Sequence, residues 1–257
     1  MKHPLVLAIT GASGVVYALR LLEVLLRSGC EVHLTVSPSG RKVLELELGI
    51  AIDLERFDAR GLAPEALAGT AEAANDMQRL VARIVAGLGA VVRRLPLPAG
   101  SAGARPVAGT LCYHHCSDFG APIASGSFLT SGMVVCPCSG NTLSAIAQGA
   151  SANLVQRAAD IHLKERRKLI VVPRETPVSS IQLGNMQRVA EAGAVVLPAM
   201  PGWYHGVQTM GDLVDFVVAR ILDQLGIEHA LVRRWGGSAD RRSPGIEETS
   251  GLSGSSI

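Results

Sequence analysis

The chain has 257 residues, of which 48% are hydrophobic and 18% charged, enough for one large core. A net charge of +2 argues against nucleic acid as a partner. No apolar run reaches the ~20 residues of a membrane span, and the first residues lack the regions of a signal peptide. Five cysteines, an odd number in so long a chain, argue against a disulfide framework. We therefore expect a soluble, cytoplasmic protein without a membrane partner.

Short apolar runs, each followed by a turn and a helical pattern, recur along the chain. A continuous apolar run is typical of a strand that is buried on both faces of a parallel sheet. This order predicts an α/β fold, a Rossmann-like doubly wound parallel sheet that binds its ligand beyond the carboxyl ends of the strands. The predicted strands are residues 5–9, 31–36, 133–136, 169–172 and 194–197, and a helix follows the first of them through about Ser28.

The alternation lapses between residues 51 and 117. Residues 71–88 have a helical pattern, Val91 and Val92 could begin a strand, and residues 98–109 form a loop rich in Gly, Ala and Pro. We interpret residues 51–117 as an inserted or divergent region, or a lid, within a single domain of residues 1–235. Residues 236–257 consist largely of glycine, serine and charged residues and offer few apolar side chains to bury. They are predicted to be a disordered tail.

Two turns at predicted strand ends could hold an anion. Residues 10–14 read Thr-Gly-Ala-Ser-Gly, and glycines at a strand-to-helix turn let backbone N–H groups approach a phosphate. Residues 136–142 read Cys-Pro-Cys-Ser-Gly-Asn-Thr, which places hydroxyl and amide groups at a helix start. The alternatives are a tight turn and an ordinary helix cap. Two such turns on one sheet edge favour a binding site.

Several charged residues occupy positions that simple exposure to solvent explains poorly. Arg220 falls within the apolar stripe of the last helical pattern, which predicts a buried guanidinium with an anionic partner. That partner is either a carboxylate, in the core or across an interface, or a phosphate ligand. Arg174 and Glu175 directly follow a strand. Arg157 and Lys164 lie two helical turns apart and share a face.

The cysteine and histidine clusters do not predict a metal site. Cys136 and Cys138 have the wrong spacing for a zinc knuckle and no second pair. Residues 112–116 read Cys-Tyr-His-His-Cys, and side chains so closely spaced along the chain do not readily converge on one ion.

Together these residues resemble the UbiX flavin prenyltransferases. The resemblance covers roughly residues 5–50 and 118–235. The motifs that carry it are the two turns described above, residues 157–165, residues 172–177, Asn185-Met186, residues 201–205 and residues 212–216. It implies an FMN-containing Rossmann-like fold, usually a homododecamer with sites at subunit interfaces, and metal-independent chemistry. The family joins a dimethylallyl group from dimethylallyl phosphate, or the pyrophosphate in some members, to N5 and C6 of reduced FMN. The prenylated FMN then serves a UbiD-type decarboxylase.

The resemblance also assigns roles. The residues matched to FMN binding are Gly11, Ala12, Ser13, Ser37, Ser139, Gly140, Asn141, Thr142 and Arg174. Those matched to binding of the prenyl phosphate are Arg157, Lys164, Tyr204 and Arg220. Glu175 matches a carboxylate that assists departure of phosphate, Glu47 a carboxylate near flavin and substrate, and Trp235 an aromatic residue that closes over the site.

Alternatives remain open. One is an FMN-dependent cysteine decarboxylase, an enzyme of the same fold group that uses a catalytic His. Another is a non-catalytic flavin carrier, which would need only the motifs that bind the flavin. A nicotinamide dehydrogenase is disfavoured, because residues 10–14 lack the third glycine of its fingerprint and no Tyr-x-x-x-Lys pair follows.

Overall fold

The computed structural model describes residues 3–68, 75–94 and 109–234. Its centre is a six-stranded, entirely parallel sheet of order β3-β2-β1-β4-β5-β6. The strands are β1 Leu5–Ile9, β2 Glu31–Val36, β3 Thr110–Tyr113, β4 Gly132–Cys138, β5 Leu169–Pro173 and β6 Val195–Val196. The helices are α1 Val15–Arg27, α2 Pro38–Leu48, α3 Glu65–Ala68, α4 Asp76–Val92, α5 Gly140–Ala147, α6 Leu154–Lys164, α7 Ser180–Glu191 and α8 Met210–Leu225. The predicted doubly wound α/β fold is confirmed.

The chain reverses its direction of winding beside β1. It builds outward through β2 and β3, returns to β4 on the other side of β1, and then builds outward through β5 and β6. In such sheets the diverging loops leave a crevice outside the carboxyl ends of the two central strands. The topology therefore places the expected ligand crevice between the turns that follow β1 and β4.

Hydrophobic cores cover both faces of the sheet. On one face, Leu7 and Leu34 pack with α1, α4 and α8, and on the other, Val6 and Val135 pack with α5 and α6. Strand β1 is buried along its whole length, as its continuous apolar run predicts. The result is three layers with the sheet in the middle.

In the described part of residues 51–117, helix α4 and strand β3 belong to this sandwich. Helix α4 buries Leu80, Ile84 and Leu88 in the core beneath α1, and β3 extends the sheet beside β2. The prediction that Val91 and Val92 begin a strand is wrong, because both lie in the last turn of α4 and are buried there. Their apolar character serves the inner face of a helix, which a short run cannot distinguish from a strand.

Parts of the chain named in the sequence analysis lie outside the described residues. These are Trp235, the tail of residues 236–257 and most of the Gly- and Pro-rich loop. Within the described ranges, no helix is both long and apolar enough to cross a lipid bilayer.

Candidate functional site at the carboxyl edge of the sheet

Thr10 joins the two predicted turns. It is buried at the end of β1, and its hydroxyl donates a hydrogen bond to the carbonyl oxygen of Pro137 at 2.7 Å. The same oxygen accepts a hydrogen bond from the backbone N–H of Ser139 at 2.8 Å. A buried hydroxyl that is satisfied in both roles holds its neighbours firmly. The turn after β1 and the turn after β4 thus form one continuous surface.

Two glycines let the turn after β2 approach this surface. A Cβ on Gly11 would lie 2.4 Å from the Cβ of Ser39, and a Cβ on Gly40 would lie 2.7 Å from the carbonyl oxygen of Ile9. Ser37 caps α2 by accepting a hydrogen bond from the N–H of Gly40 at 3.0 Å. The turns after β1 and β2 therefore pack backbone against backbone, as a shallow cradle for a ligand requires.

Glu47 lies against the amino end of α1. Its carboxylate accepts hydrogen bonds from the N–H groups of Gly14, at 2.9 and 3.1 Å, and of Val15, at 3.1 Å. These are the donors that a helix start offers to an anion. The sequence favoured them for a ligand phosphate, but here a side chain of the protein takes them. Glu47 thereby fixes the glycine turn and stands beside it.

The turn after β4 begins α5 and faces Glu175. Ser139 caps the helix, accepting from the N–H of Thr142 at 3.3 Å and donating to the Thr142 hydroxyl at 3.0 Å. A Cβ on Gly140 would lie 3.9 Å from Oε2 of Glu175, so this carboxylate stands directly over the helix start. The Gln182 amide also donates to Glu175 Oε2 at 3.2 Å.

Arg174 connects the turn after β5 to the turn after β1. Its Nε donates to the carbonyl oxygen of Ser13 at 3.3 Å, and its side chain is half-buried. One cation and one carboxylate, Arg174 and Glu175, thus reach the crevice from neighbouring positions of one loop.

The thiols beneath the crevice are not reactive groups. Burial raises the pKa of Cys138 to about 12 and also raises the pKa of Cys136, so both stay protonated at neutral pH. Burial likewise raises the pKa of the nearby Tyr17 phenol. The floor of the crevice is therefore uncharged, and its charges are those of Arg174, Glu175 and Glu47.

Tyr204 and Arg220 both lie near Phe216. The Tyr204 ring packs edge-on against Phe216 with centroids 5.9 Å apart, and Phe216 and Arg220 line one cavity of about 360 Å³. The prediction that Arg220 is buried is wrong, since its side chain is 51% exposed and pairs with Asp223 at 2.8 Å. The buried stripe of α8 runs through Val214, Val217 and Ile221, and Arg220 lies beside it, next to Phe216.

Arg157 and Lys164 lie apart from this group. Arg157 donates to the carbonyl oxygen of Ala124 at 3.2 Å, and a Cβ on Gly126 would lie 3.1 Å from Lys164 Nζ, so both face the turn of residues 118–127, as their spacing predicts. Lys164 pairs with Glu165. It precedes β5 by five residues, whereas Arg174 directly follows β5, and a strand of that length spans about 16 Å. The two cations therefore stand at opposite edges of the sheet.

The sequence does not predict a function for three residues of the site. Its pattern marks Thr10 only as part of a glycine turn and indicates no function for Asp223. Gln182 had a readable signal, because Ser179 and Gln182 have the spacing of a helix capping box, and both bonds of that box are present. Its free amide end then reaches Glu175.

The residues of the crevice fit a flavin mononucleotide. Glycine turns in close backbone contact, hydroxyls at the starts of α2 and α5, and a half-buried arginine match the donors that a phosphate and a heteroaromatic ring edge require. The fold and this site define a Rossmann-like α/β protein whose ligand crevice lies at the carboxyl edge of the sheet.

Comparison with known proteins agrees with this class. The model of the Flavoprotein family matches residues 1–222. The flavin prenyltransferase UbiX of Pseudomonas aeruginosa is 43% identical over 230 residues, covering 90% of this chain and 92% of that protein. That of Halalkalibacterium halodurans is 41% identical over 235 residues, covering 91% and 94%.

Two solved structures have the same fold. AnUbiX (PadA1) in complex with FMN and dimethylallyl pyrophosphate superposes with a TM-score of 0.67 at 31% identity, over 92% of this chain and 99% of that one. A dodecameric FMN-dependent UbiX-like decarboxylase from Escherichia coli O157:H7 gives 0.66 at 36% identity, over 91% and 100%. The chain belongs to the UbiX flavin prenyltransferase family of flavoproteins.

Proposed function

We propose that this protein joins a dimethylallyl group from dimethylallyl phosphate to reduced FMN, and that a UbiD-type decarboxylase uses the prenylated FMN. The observation that carries the proposal is the convergence of the turns after β1, β2, β4 and β5 on one crevice, through Thr10, Gly11 and Arg174, in a chain of this family. When bound, reduced FMN supplies the electron-rich ring that receives the allylic carbon.

The crevice residues are proposed to hold the flavin. Gly11, Ala12 and Ser13 present backbone donors, and Arg174 supplies a cation beside them. The hydroxyl and amide groups after β2 and β4 complete the set, namely Ser37, Ser139, Gly140, Asn141 and Thr142. Hydrogen bonds from backbone N–H and a guanidinium orient a phosphate without needing a metal ion.

Prenyl transfer breaks the allylic C–O bond, and the phosphate leaves with the bonding electrons. Cationic side chains stabilise that developing charge, which is the proposed function of Arg157, Lys164 and Arg220, with the phenol of Tyr204 as a further donor. Glu175, when protonated, can donate its proton to the departing phosphate oxygen. Its position over the start of α5, held by Gln182, favours this assignment.

Two further residues are assigned from the family resemblance. Glu47 stands beside the glycine turn, within reach of whatever the turn holds. Trp235 is proposed to close over the substrate with its aromatic face.

The separation of Lys164 from Arg174 supports an oligomeric site. A single phosphate cannot contact side chains at opposite edges of the sheet in one chain. We therefore propose that a second copy of the chain brings Arg157 and Lys164 to the crevice. A homododecamer is the assembly we expect, as in the Escherichia coli homologue.

The deciding experiment is anaerobic incubation of the purified protein with reduced FMN and dimethylallyl phosphate, and separately with the pyrophosphate, followed by mass spectrometry of the released flavin. We expect a mass increase of one dimethylallyl group. Unmodified FMN with both donors would contradict the proposal and favour a flavin carrier. Consumption of a cysteine-containing substrate, together with bleaching of bound FMN, would favour the cysteine decarboxylase.

A further inference from the structure

A group of metal-binding side chains lies at the outer part of the sheet, away from the crevice. Glu31, His33 and Cys112 each offer one donor atom, and these atoms all lie within 4.8 Å of one another. His33 stands opposite Cys112 in the parallel pairing of β2 and β3. Because alternate residues of a strand share a face, Glu31 lies on the same side as His33. Strand pairing thus assembles three ligand types that the sequence scatters over 82 positions.

The spacing of the donors is close to that of a tetrahedral metal site. Nε2 of His33 lies 3.1 Å from Oε1 of Glu31. Nitrogen and oxygen ligands that bind zinc at about 2.0–2.2 Å in tetrahedral geometry are separated by roughly 3.4 Å. Small side-chain movements would place an ion between these two atoms. The thiol of Cys112 is near enough to complete a third position.

The imidazole of His33 is already oriented for such a ligand. Its other ring nitrogen, Nδ1, lies 2.8 Å from Nε2 of His114, and Phe128 packs on the ring with centroids 5.0 Å apart. The side chain is only 6% exposed. Metal-binding histidines characteristically hold an outer partner with the second nitrogen, which fixes the tautomer and directs the first nitrogen toward the metal.

We propose that Glu31, His33 and Cys112 bind one Zn²⁺ ion, with water in the fourth position. A thiolate, an imidazole and a carboxylate form a donor set that suits zinc and disfavours magnesium or calcium. His114 is the outer partner and not a ligand, because it meets the opposite side of the His33 ring. Of the cysteines and histidines in residues 112–116, the site therefore uses Cys112 directly and His114 indirectly.

The ion would fasten the edge strand β3 to β2. Strand β3 has four residues and pairs with β2 along one side. Two ligands on β2 and one on β3 cross-link the pair. Glu31 and His33 precede Ser37 by six and four residues, which corresponds to about 20 and 13 Å along an extended chain. The site is thus separate from the proposed flavin crevice and leaves prenyl transfer free of metal chemistry.

The test is zinc titration of the tag-free, full-length protein after dialysis against a chelator and with reductant present. We expect one Zn²⁺ per chain and zinc X-ray absorption with one sulfur neighbour. Loss of an outer partner of a metal ligand costs about 10–100-fold in affinity, so His114→Phe should weaken binding by that amount, and Cys112→Ser and Glu31→Gln by about 100-fold or more. Cys116→Ser, a buried cysteine outside the cluster, is the matched control and should bind as the wild type does.

A thermal readout checks the structural function of the ion. Zinc should raise the melting temperature of the wild type and of Cys116→Ser, but not that of Glu31→Gln. Because the Glu31 side chain is 48% exposed, this variant keeps the core intact and remains informative if Cys112→Ser fails to fold. Equal zinc binding by the wild type and by Glu31→Gln, or the absence of binding to the wild type, would overturn the proposal and leave a hydrogen-bonded polar cluster.

Discussion

At the scale of single residues, the carboxylate of Glu175 is the group whose chemistry is most open to test. It lies on the surface of the crevice, where it accepts a hydrogen bond from the Gln182 side chain and faces the start of α5. An amide at position 175 would keep this geometry and lose the proton that a departing phosphate needs. A substitution at this position therefore distinguishes flavin binding from the prenyl-transfer step.

Glu175→Gln should retain FMN affinity and slow prenyl transfer by about 10²–10⁴-fold, which is the rate enhancement that a positioned general acid typically contributes. Single-turnover rates and flavin titration measure the two properties separately. Glu191→Gln, the same change on the exposed end of α7, is the control. An unaltered rate in Glu175→Gln would remove this residue from the mechanism.

His162 illustrates how burial alone sets a protonation state. Its Nδ1 donates to the carbonyl oxygen of Ala158 at 2.7 Å, and its Nε2 accepts from the Thr130 hydroxyl at 2.8 Å. Burial is the largest influence and lowers the pKa of His162 from 6.5 to about 4. The ring is therefore neutral in the folded protein at any pH above that value.

This pKa predicts a loss of stability in mild acid. Between pH 6.5 and pH 4 the unfolded chain binds a proton at His162 that the folded chain does not. The free energy of unfolding should then fall as the pH falls through this window, by roughly 3 kcal/mol in all. Denaturant unfolding at a series of pH values measures it. His162→Gln should show a shallower decline over the same range, and identical pH dependence in both proteins would refute the prediction.

At the scale of elements, α1, α4 and α8 are tied together by a buried ion network. Arg20 of α1 pairs with Asp215 of α8 at 2.7 Å and with Glu23 at 2.9 Å. Arg83 of α4 approaches Asp215 at 3.6 Å. Removing one partner of a buried ion pair leaves an uncompensated charge, so the pairing of Arg20 with Asp215 disfavours any packing that separates α1 from α8.

Gly87 lets α4 lie against this network. A Cβ there would stand 1.9 Å from Oε1 of Glu23, whose side chain is 4% exposed and is held by Arg20 and Arg27. Gly87→Ala should therefore lower the free energy of unfolding by about 1–3 kcal/mol, although alanine favours helix formation. Equilibrium unfolding in denaturant measures the change.

Gly184→Ala provides the matched control. Gly184 also lies inside a helix, α7, but a Cβ there would meet nothing within 4 Å. Helix propensity alone should then act and stabilise the protein by up to about 1 kcal/mol. If both alanine variants changed stability by the same amount, steric contact with Glu23 would not be the cause.

At the scale of the whole molecule, the proposed active site requires more than one chain. This arrangement predicts rescue between defective subunits. Lys164→Ala and Glu175→Gln should each be nearly inactive alone. Mixed oligomers from co-expression would contain sites with an intact Lys164 from one chain and an intact Glu175 from another, with about a quarter of the wild-type activity for random mixing.

The control for this rescue is a mixture of the two variants purified separately, without exchange of subunits, which should stay inactive. Activity of the co-expressed oligomers no greater than that of this mixture would mean that one chain supplies both residues. The proposal of shared sites would then fail, whatever the oligomeric state.

Much of the local structure follows from the sequence by itself. The strands Leu5–Ile9 and Glu31–Val36 are predicted with the bounds that the structure has. Leu5–Ile9 is a continuous apolar run, because a strand buried on both faces needs no polar positions. The glycine turn at Gly11 and the helix start at Ser139 are also readable, since each depends on neighbours a few residues away. The family resemblance rests on these same local motifs.

Only the tertiary structure decided which distant side chains meet. The exposure of Arg220 depends on which face of α8 packs against α1 and α4, and its helical pattern alone predicted burial. Within one chain, α6 and β5 carry Lys164 and Arg174 to opposite edges of the sheet, although the family resemblance assigns both to one site at a subunit interface. Glu31, His33 and Cys112 come together only through the pairing of β2 with β3. Strand order and register join residues far apart in the chain, and a local pattern contains no information about them.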